Sequence, residues 1–261
     1  MLGRMAFYKV ILVSLLSVAV SSVRSCEQRK TEATGKMELP AVEVCDTLRL
    51  VQYEAYTLLY NLSHKTPDWV AWELTSEETD GVEERAAKFS VDYSLDFIQG
   101  DNNDYRNSGW DRGHMAPAAD MKWSETAMKE CFYYTNACPQ NHNLNNGVWK
   151  SLEETCRSLA KYYGKLWITS GPIYTDYAYG CIGPHKVAVP DAFYKVLLIQ
   201  WEGDYYGIGF VCENKAGKKK LEKYSTTIDA VEEMTGINFF CNLTPEQERK
   251  AEGEVHLEMW F

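Results

Sequence analysis

Apolar and aromatic runs of strand length recur along the chain, separated by polar turns. Residues 56–60 (Tyr-Thr-Leu-Leu-Tyr) and 69–74 (Trp-Val-Ala-Trp-Glu-Leu) form a first pair, divided by a polar turn that contains Pro67. Residues 166–170, 192–200 and 205–211 supply further strands. Helical patterns run over 124–133, 145–163 and 228–236. No internal repeat or low-complexity break divides the chain. The pattern predicts a single α+β domain over residues 49–261, a mixed sheet with helices packed on it. Residues 26–48 are largely polar and aperiodic and read as a linker.

The first 25 residues differ. Arg4 and Lys9 mark a basic start, an apolar run covers 10–20, and Ser21, Ser22 and Ser25 follow. That layout predicts a secretory signal peptide, the run being shorter than the roughly 20 apolar residues a membrane-spanning helix needs. Cys26 directly after the small residues offers a lipid-attachment point, which Arg24 fits poorly. The eight cysteines point the same way, to an oxidising compartment. A secreted or periplasmic protein with disulfide bonds is therefore expected. Eight cysteines allow 105 complete pairings, and sequence does not choose among them. The absence of a Cys-x-x-Cys pair and the scatter of the histidines disfavour zinc.

Composition is that of an ordinary globular protein: 261 residues, 45% hydrophobic and 25% charged. This excludes a disordered, collagen-like or coiled-coil chain. The balance of 27 basic against 37 acidic residues gives a formal charge of −10. Without residues 1–25 it becomes 24 against 37, or −13. Such acidity argues against a protein that coats nucleic acid or an anionic membrane.

Candidate chemistry concentrates between residues 100 and 160. In Asp111-Arg-Gly-His114 a histidine, a fixed cation and a glycine sit together, so a base titrating near neutrality lies beside a positive charge. On a helix, Asn145, Trp149, Glu153 and Arg157 are each four apart and form one slowly turning stripe. Trp149, Leu152, Cys156 and Leu159 can face the core. Asn145 can then offer a neutral oxygen to a hard cation, Glu153 can hold that cation's waters, and Arg157 can meet a phosphate. The spacing equally fits Asn145 as a helix cap and Glu153–Arg157 as an ion pair on a solvated face.

Together, Asp111-Arg-Gly-His114, Asn136-x-x-Pro-Gln140 and Asn145-x-x-x-Trp149-x-x-Leu-Glu153 resemble the DNA/RNA non-specific endonuclease family, which includes secreted bacterial nucleases and mitochondrial endonuclease G. The resemblance covers roughly residues 50–245. It implies a ββα-metal nuclease core, a hairpin plus helix within a mixed, mainly antiparallel sheet. It implies His114 as the general base, Asn145 as the ligand of one Mg²⁺ (Mn²⁺ as substitute), and Glu153 as the carboxylate orienting metal-bound waters. Arg112, Asn136 and Arg157 fall near the scissile phosphate. Arg85 is the candidate for a further phosphate contact, with Arg106 as its rival. DNA and RNA are the implied substrates, and a homodimer is compatible. Cys138 and Cys156 are departures from the motif and are candidates for disulfides close to the site. Two other functions are compatible with the sequence: a non-catalytic secreted nucleic-acid-binding protein on the same fold, and a metal-dependent phosphoesterase of small substrates.

Overall fold

The computed structural model describes residues 29–30, 35–86, 88–217 and 220–261, so the signal-peptide reading of 1–25 and Cys26 lie outside the described residues. In chain order, β1 (Leu48–Gln52), β2 (Thr57–Asn61) and β3 (Thr66–Thr75) form a meander. A separate hairpin, β4 (Asp111–His114) and β5 (Ala137–Gln140), follows. Then β6 (Lys165–Ile173), β7 (Ala192–Trp201), β8 (Asp204–Glu213) and β9 (Ser225–Thr226) complete a seven-stranded sheet in the order β9-β8-β7-β6-β3-β2-β1. Every neighbouring pair in that sheet is antiparallel.

Successive side chains on a strand point to opposite faces, and both faces of this sheet are covered. Leu58, Tyr60, Val70, Trp72, Leu74, Ile168, Phe193 and Leu197 pack on one side, in the same core as helix α2 (Lys150–Tyr163). Leu59, Trp69, Ala71, Tyr194, Val196 and Leu198 pack on the other, with Ile228 and Val231 of α3 (Ile228–Thr235) and Ala251 of α4 (Pro245–Gly253). This double burial is why 192–199 reads as an almost unbroken apolar run. Lys195 is its one charged member, and it too is buried.

Helix α2 carries the stripe expected of it: Leu152, Cys156, Leu159 and Ala160 are buried. It stops at Gly164, whose φ of +83° puts it in the left-handed conformation that ends helices. The expected helix over 145–163 is not continuous. Residues Asn145–Trp149 form a wide turn with a kink at Gly147 (φ −111°, ψ −116°), and regular helix begins only at Lys150. The helix expected over 124–133 is likewise shorter, α1 (Glu125–Glu130), capped by Ser124, whose side chain accepts from Ala127 N.

Two expectations need correction. Part of the expected linker is packed: Met37, Leu39 and Val42 lie against the second core, Ala41 N donates to Asn238 O at 2.8 Å, and Thr169 Oγ1 donates to Glu38 O at 2.9 Å. The run is polar in composition, but its few apolar residues close the sheet. The expected disulfides near the site do not form. Cys138 and Cys156 are free thiols, as are Cys131 and Cys212, and all four are buried as small apolar core residues.

Candidate active site

The hairpin register sets His114 opposite Ala137 and Gly113 opposite Cys138. A side chain at Gly113 would overlap that of Gln140, so only glycine allows the two strands and the Gln140 side chain to pack here. His114, at the end of β4, is 8% exposed. Its ring packs against both Phe89 and Phe132, with centroids 4.6 and 4.7 Å away, the three rings forming one cluster. Its Nε2 is buried without a hydrogen-bond partner among the described residues. Burial, aided by the nearby Arg85 charge, pushes the imidazole down from 6.5 to about 3. The ring is therefore neutral at physiological pH, the form that accepts a proton.

Asn145 reaches the hairpin because the chain kinks beyond it. The helix-capping role that spacing also allowed falls instead to Asn141, whose side chain accepts from Asn143 N and Leu144 N. Asn145 Nδ2 donates to Asp111 Oδ2 at 2.9 Å. An amide whose nitrogen is held in this way has its oxygen oriented, a neutral hard donor suited to Mg²⁺. Asp111 also takes His142 Nδ1 at 3.0 Å. The donor set therefore has the chemistry that suits a hard divalent cation, Asn145 offering a neutral oxygen and Asp111 holding its amide nitrogen.

Arg85, Lys88, Arg112, Trp110, Asp111 and Asn145 border one cleft of about 750 Å³, together with Phe89 and Phe132, which pack against His114. Three cations against one carboxylate make this cleft locally basic on an acidic chain. Arg112 is fixed: its Nε donates to Tyr134 Oη at 3.2 Å and its Nη2 to Asn102 Oδ1 at 2.7 Å. Asn102 opens a single helical turn (Asn102–Tyr105) held by a reciprocal Asp101–Asp104 capping box. Asp104 in turn accepts His185 N and Nδ1 at 2.8 and 2.9 Å, so the Asp101–Asp104–His185 cluster is occupied in supporting Arg112. Arg85 lies 4.9 Å above the Phe132 ring. Its rival Arg106 lies outside the lining of the cleft.

The remaining expected residues sit elsewhere. Asn136 is wholly buried: its Oδ1 accepts Ala116 N at 2.9 Å, and its Nδ2 donates to Ala116 O and Cys131 O at 2.9 and 2.8 Å. These bonds make Asn136 a pin for the chain leaving His114. Arg157 turns inward onto buried Asp120 at 3.0 Å, not onto Glu153 and not into the cleft. Asp120 also accepts Trp72 Nε1 at 3.2 Å. Glu153 has Lys195, Asp120, Arg157 and Arg85 as charged neighbours, and burial pushes its carboxyl up from 4.5 to about 7. Lys195 Nζ stands 4.8 Å from the ring centres of both Trp72 and Trp149. Sequence reasoning gave no role to Asp111, Asn102, Tyr134, Phe89 or Phe132. Of these only Asp111, inside the motif itself, carried a signal.

Residues 35–246 match the model of the DNA/RNA non-specific endonuclease family, and the chain belongs to that family. It is 38% identical over 211 residues to the mitochondrial nuclease EXOG of Danio rerio, covering 75% of this chain and 62% of that protein. It is 32% identical over 209 residues to the mitochondrial endonuclease G of Homo sapiens, covering 75% and 70%. A crystal structure of an EndoG/EndoGI complex, described as showing the mechanism of EndoG inhibition, superposes with a TM-score of 0.73 at 29% identity, over 82% of this chain and 94% of that one. The match spans about three fifths of the length of the EXOG nucleases. Their names, and that of Schizosaccharomyces pombe nuclease 1, are mitochondrial. That overturns the expectation of a secreted, periplasmic or lipid-anchored protein.

Proposed function

We propose that this chain is a metal-dependent endonuclease that hydrolyses phosphodiester bonds of both DNA and RNA, leaving 5′-phosphate and 3′-hydroxyl ends. The observation that carries the reading is one basic cleft lined by Arg85, Arg112 and an Asn145 held by Asp111, with His114 packed directly behind it against Phe89 and Phe132 of the same lining. His114 accepts the proton of the attacking water. In the free chain its basicity is weak. A phosphodiester anion entering beside it offsets the Arg85 charge and raises its affinity for that proton. Arg112, held by Tyr134 and Asn102, presents its guanidinium to the phosphoryl oxygens as their charge grows. Asn145, with Glu153 holding waters, would bind one Mg²⁺ or Mn²⁺, which when bound supplies further neutralisation of phosphoryl charge. The names of the curated relatives support a nuclease and favour a mitochondrial setting.

The test is incubation with supercoiled plasmid, with RNA, and with a small phosphodiester chromogen, each in Mg²⁺, Mn²⁺ or EDTA. Metal-dependent cleavage of both polymers, lost in His114→Ala, is the expected result. Retention of nucleic acid without cleavage would make the chain a binding module. Turnover of the chromogen alone would make it a small-substrate phosphoesterase.

A further inference from the structure

A second group of carboxylates lies on the sheet face opposite α2, where α3 and α4 pack. Asp229 and Glu232 of α3 and Glu252 of α4 each bring one carboxylate oxygen within 4.8 Å of the other two. The three are graded from surface to interior: Asp229 is exposed, Glu232 is half-buried, and Glu252 is 1% exposed. Glu252 Oε1 is buried with no hydrogen-bond partner among the described residues. A buried carboxylate oxygen without a donor costs free energy unless a counter-charge reaches it.

The cationic side chains of α4 are turned to other partners. Lys250 Nζ contacts Asp204 at 3.0 Å, and Arg249 Nη2 donates to Pro245 O at 3.3 Å. The charged groups acting on Glu252 are all acidic: Glu232, Glu248 and Asp229. Glu252 also stands in the last turn of α4, where the helix dipole disfavours a carboxylate and favours a cation. Protonation of Glu252 would remove the charge, and burial does push its carboxyl up to about 9. A proton still leaves three acidic side chains converging with no shared partner, whereas a metal ion would satisfy all three oxygens at once.

We propose that Asp229, Glu232 and Glu252 form a second cation site, separate from the cleft, that takes a hard divalent ion of the size of Ca²⁺ and ties α3 to α4. The donors are all oxygen, which excludes a preference for soft metals. Oxygens no more than 4.8 Å apart have a common centre at most about 2.8 Å from each, so a small inward movement reaches the 2.3–2.6 Å of Ca²⁺–oxygen contacts. Mg²⁺ demands 2.0–2.1 Å and a near-ideal octahedron, and fits less well. Glu232 keeps its accepted bond from Phe239 N (2.7 Å), which anchors that ligand. The exposed Asp229 provides the entry path.

The test uses the full chain carrying Asn145→Ala, so that the cleft site is removed and only a second site binds. Calorimetric titration with CaCl₂ is expected to show one Ca²⁺ per chain. Glu252→Gln should weaken that binding at least tenfold, and Asp229→Asn several-fold. In the same background, the thermal unfolding midpoint should rise with Ca²⁺ and stop doing so in Glu252→Gln. Should Glu252→Gln fail to fold, Asp229→Asn, at the exposed edge, decides alone. No Ca²⁺ binding in the Asn145→Ala chain, or binding that these substitutions leave unchanged, overturns the proposal.

Discussion

Asp111 Oδ2 accepts the side-chain amide of Asn145 at 2.9 Å, joining the first residue of β4 to the turn that precedes α2. This bond, between residues 34 apart in sequence, fixes the Asn145 amide, and under the proposed function it orients the amide oxygen for the cation. Asp111→Ala is expected to weaken Mg²⁺ binding 10- to 100-fold, the usual cost of losing a group that orients a metal ligand. The Mg²⁺ concentration for half-maximal plasmid nicking measures it, and an unchanged value would show that Asn145 needs no such tether.

His114→Ala should lower cleavage by 10²–10⁴, the span of general-base contributions, with the fold retained. Activity within about tenfold of the unsubstituted chain would remove His114 as the base. Stability offers an independent check. The folded chain holds this imidazole at about 3, below its ordinary 6.5. The stability that follows from keeping it neutral is present above pH 6.5 and is lost as pH falls toward 3. Urea unfolding at a series of pH values should show the original chain losing stability relative to His114→Gln below pH 6.5, by up to about 1.4 kcal/mol per pH unit.

Glu153 behaves in the opposite sense. Its carboxyl, raised to about 7, is protonated below neutrality and then holds metal-bound waters poorly. At limiting Mg²⁺, cleavage should fall as pH drops through 7, and saturating Mg²⁺ should move that limb to lower pH. Glu153→Gln should show low activity without this limb. The fold, conversely, is favoured by the protonated form: that contribution is present below pH 4.5 and lost as pH rises through 7. A stability profile that Glu153→Gln leaves unaltered would contradict the assignment.

Asn136→Ala should act on stability rather than on chemistry. Three hydrogen bonds to Ala116 and Cys131 are lost in a fully buried site, at a cost of about 3 kcal/mol or more. The folded fraction should retain cleavage within about tenfold. A stable variant with cleavage reduced a hundredfold would return Asn136 to the chemistry.

Much of this was legible in the sequence for a physical reason. A sheet buried on both faces writes its strands as apolar runs, and the residues around 56–60, 69–74, 166–170, 192–200 and 205–211 all became strands. Three features were hidden. Helix α4 carries few apolar residues because it has an exposed, highly charged face, and β1 is a short edge strand that buries only Val51. The kink at Gly147 broke the four-residue spacing on which the Asn145–Glu153 stripe rested, although Asn145 still reached the cleft. Arg157 could not be paired correctly, since its partner Asp120 lies 37 residues away and spacing registers only near neighbours. The expected secreted location was overturned for a different reason: basic, serine-bearing and acid-poor stretches are shared by export signals and organellar transit peptides, and the named relatives are mitochondrial.

Lys195 lies behind the helix that carries Glu153, enclosed between Trp72 and Trp149. An amine in that position is out of reach of acylating reagents for as long as α2 stays seated on the sheet. Among the lysines it should be the last to be labelled, and its labelling rate should count the moments when α2 lifts away. The side chain therefore acts as a built-in clock for the opening of the site, readable by mass spectrometry without substrate, metal or substitution.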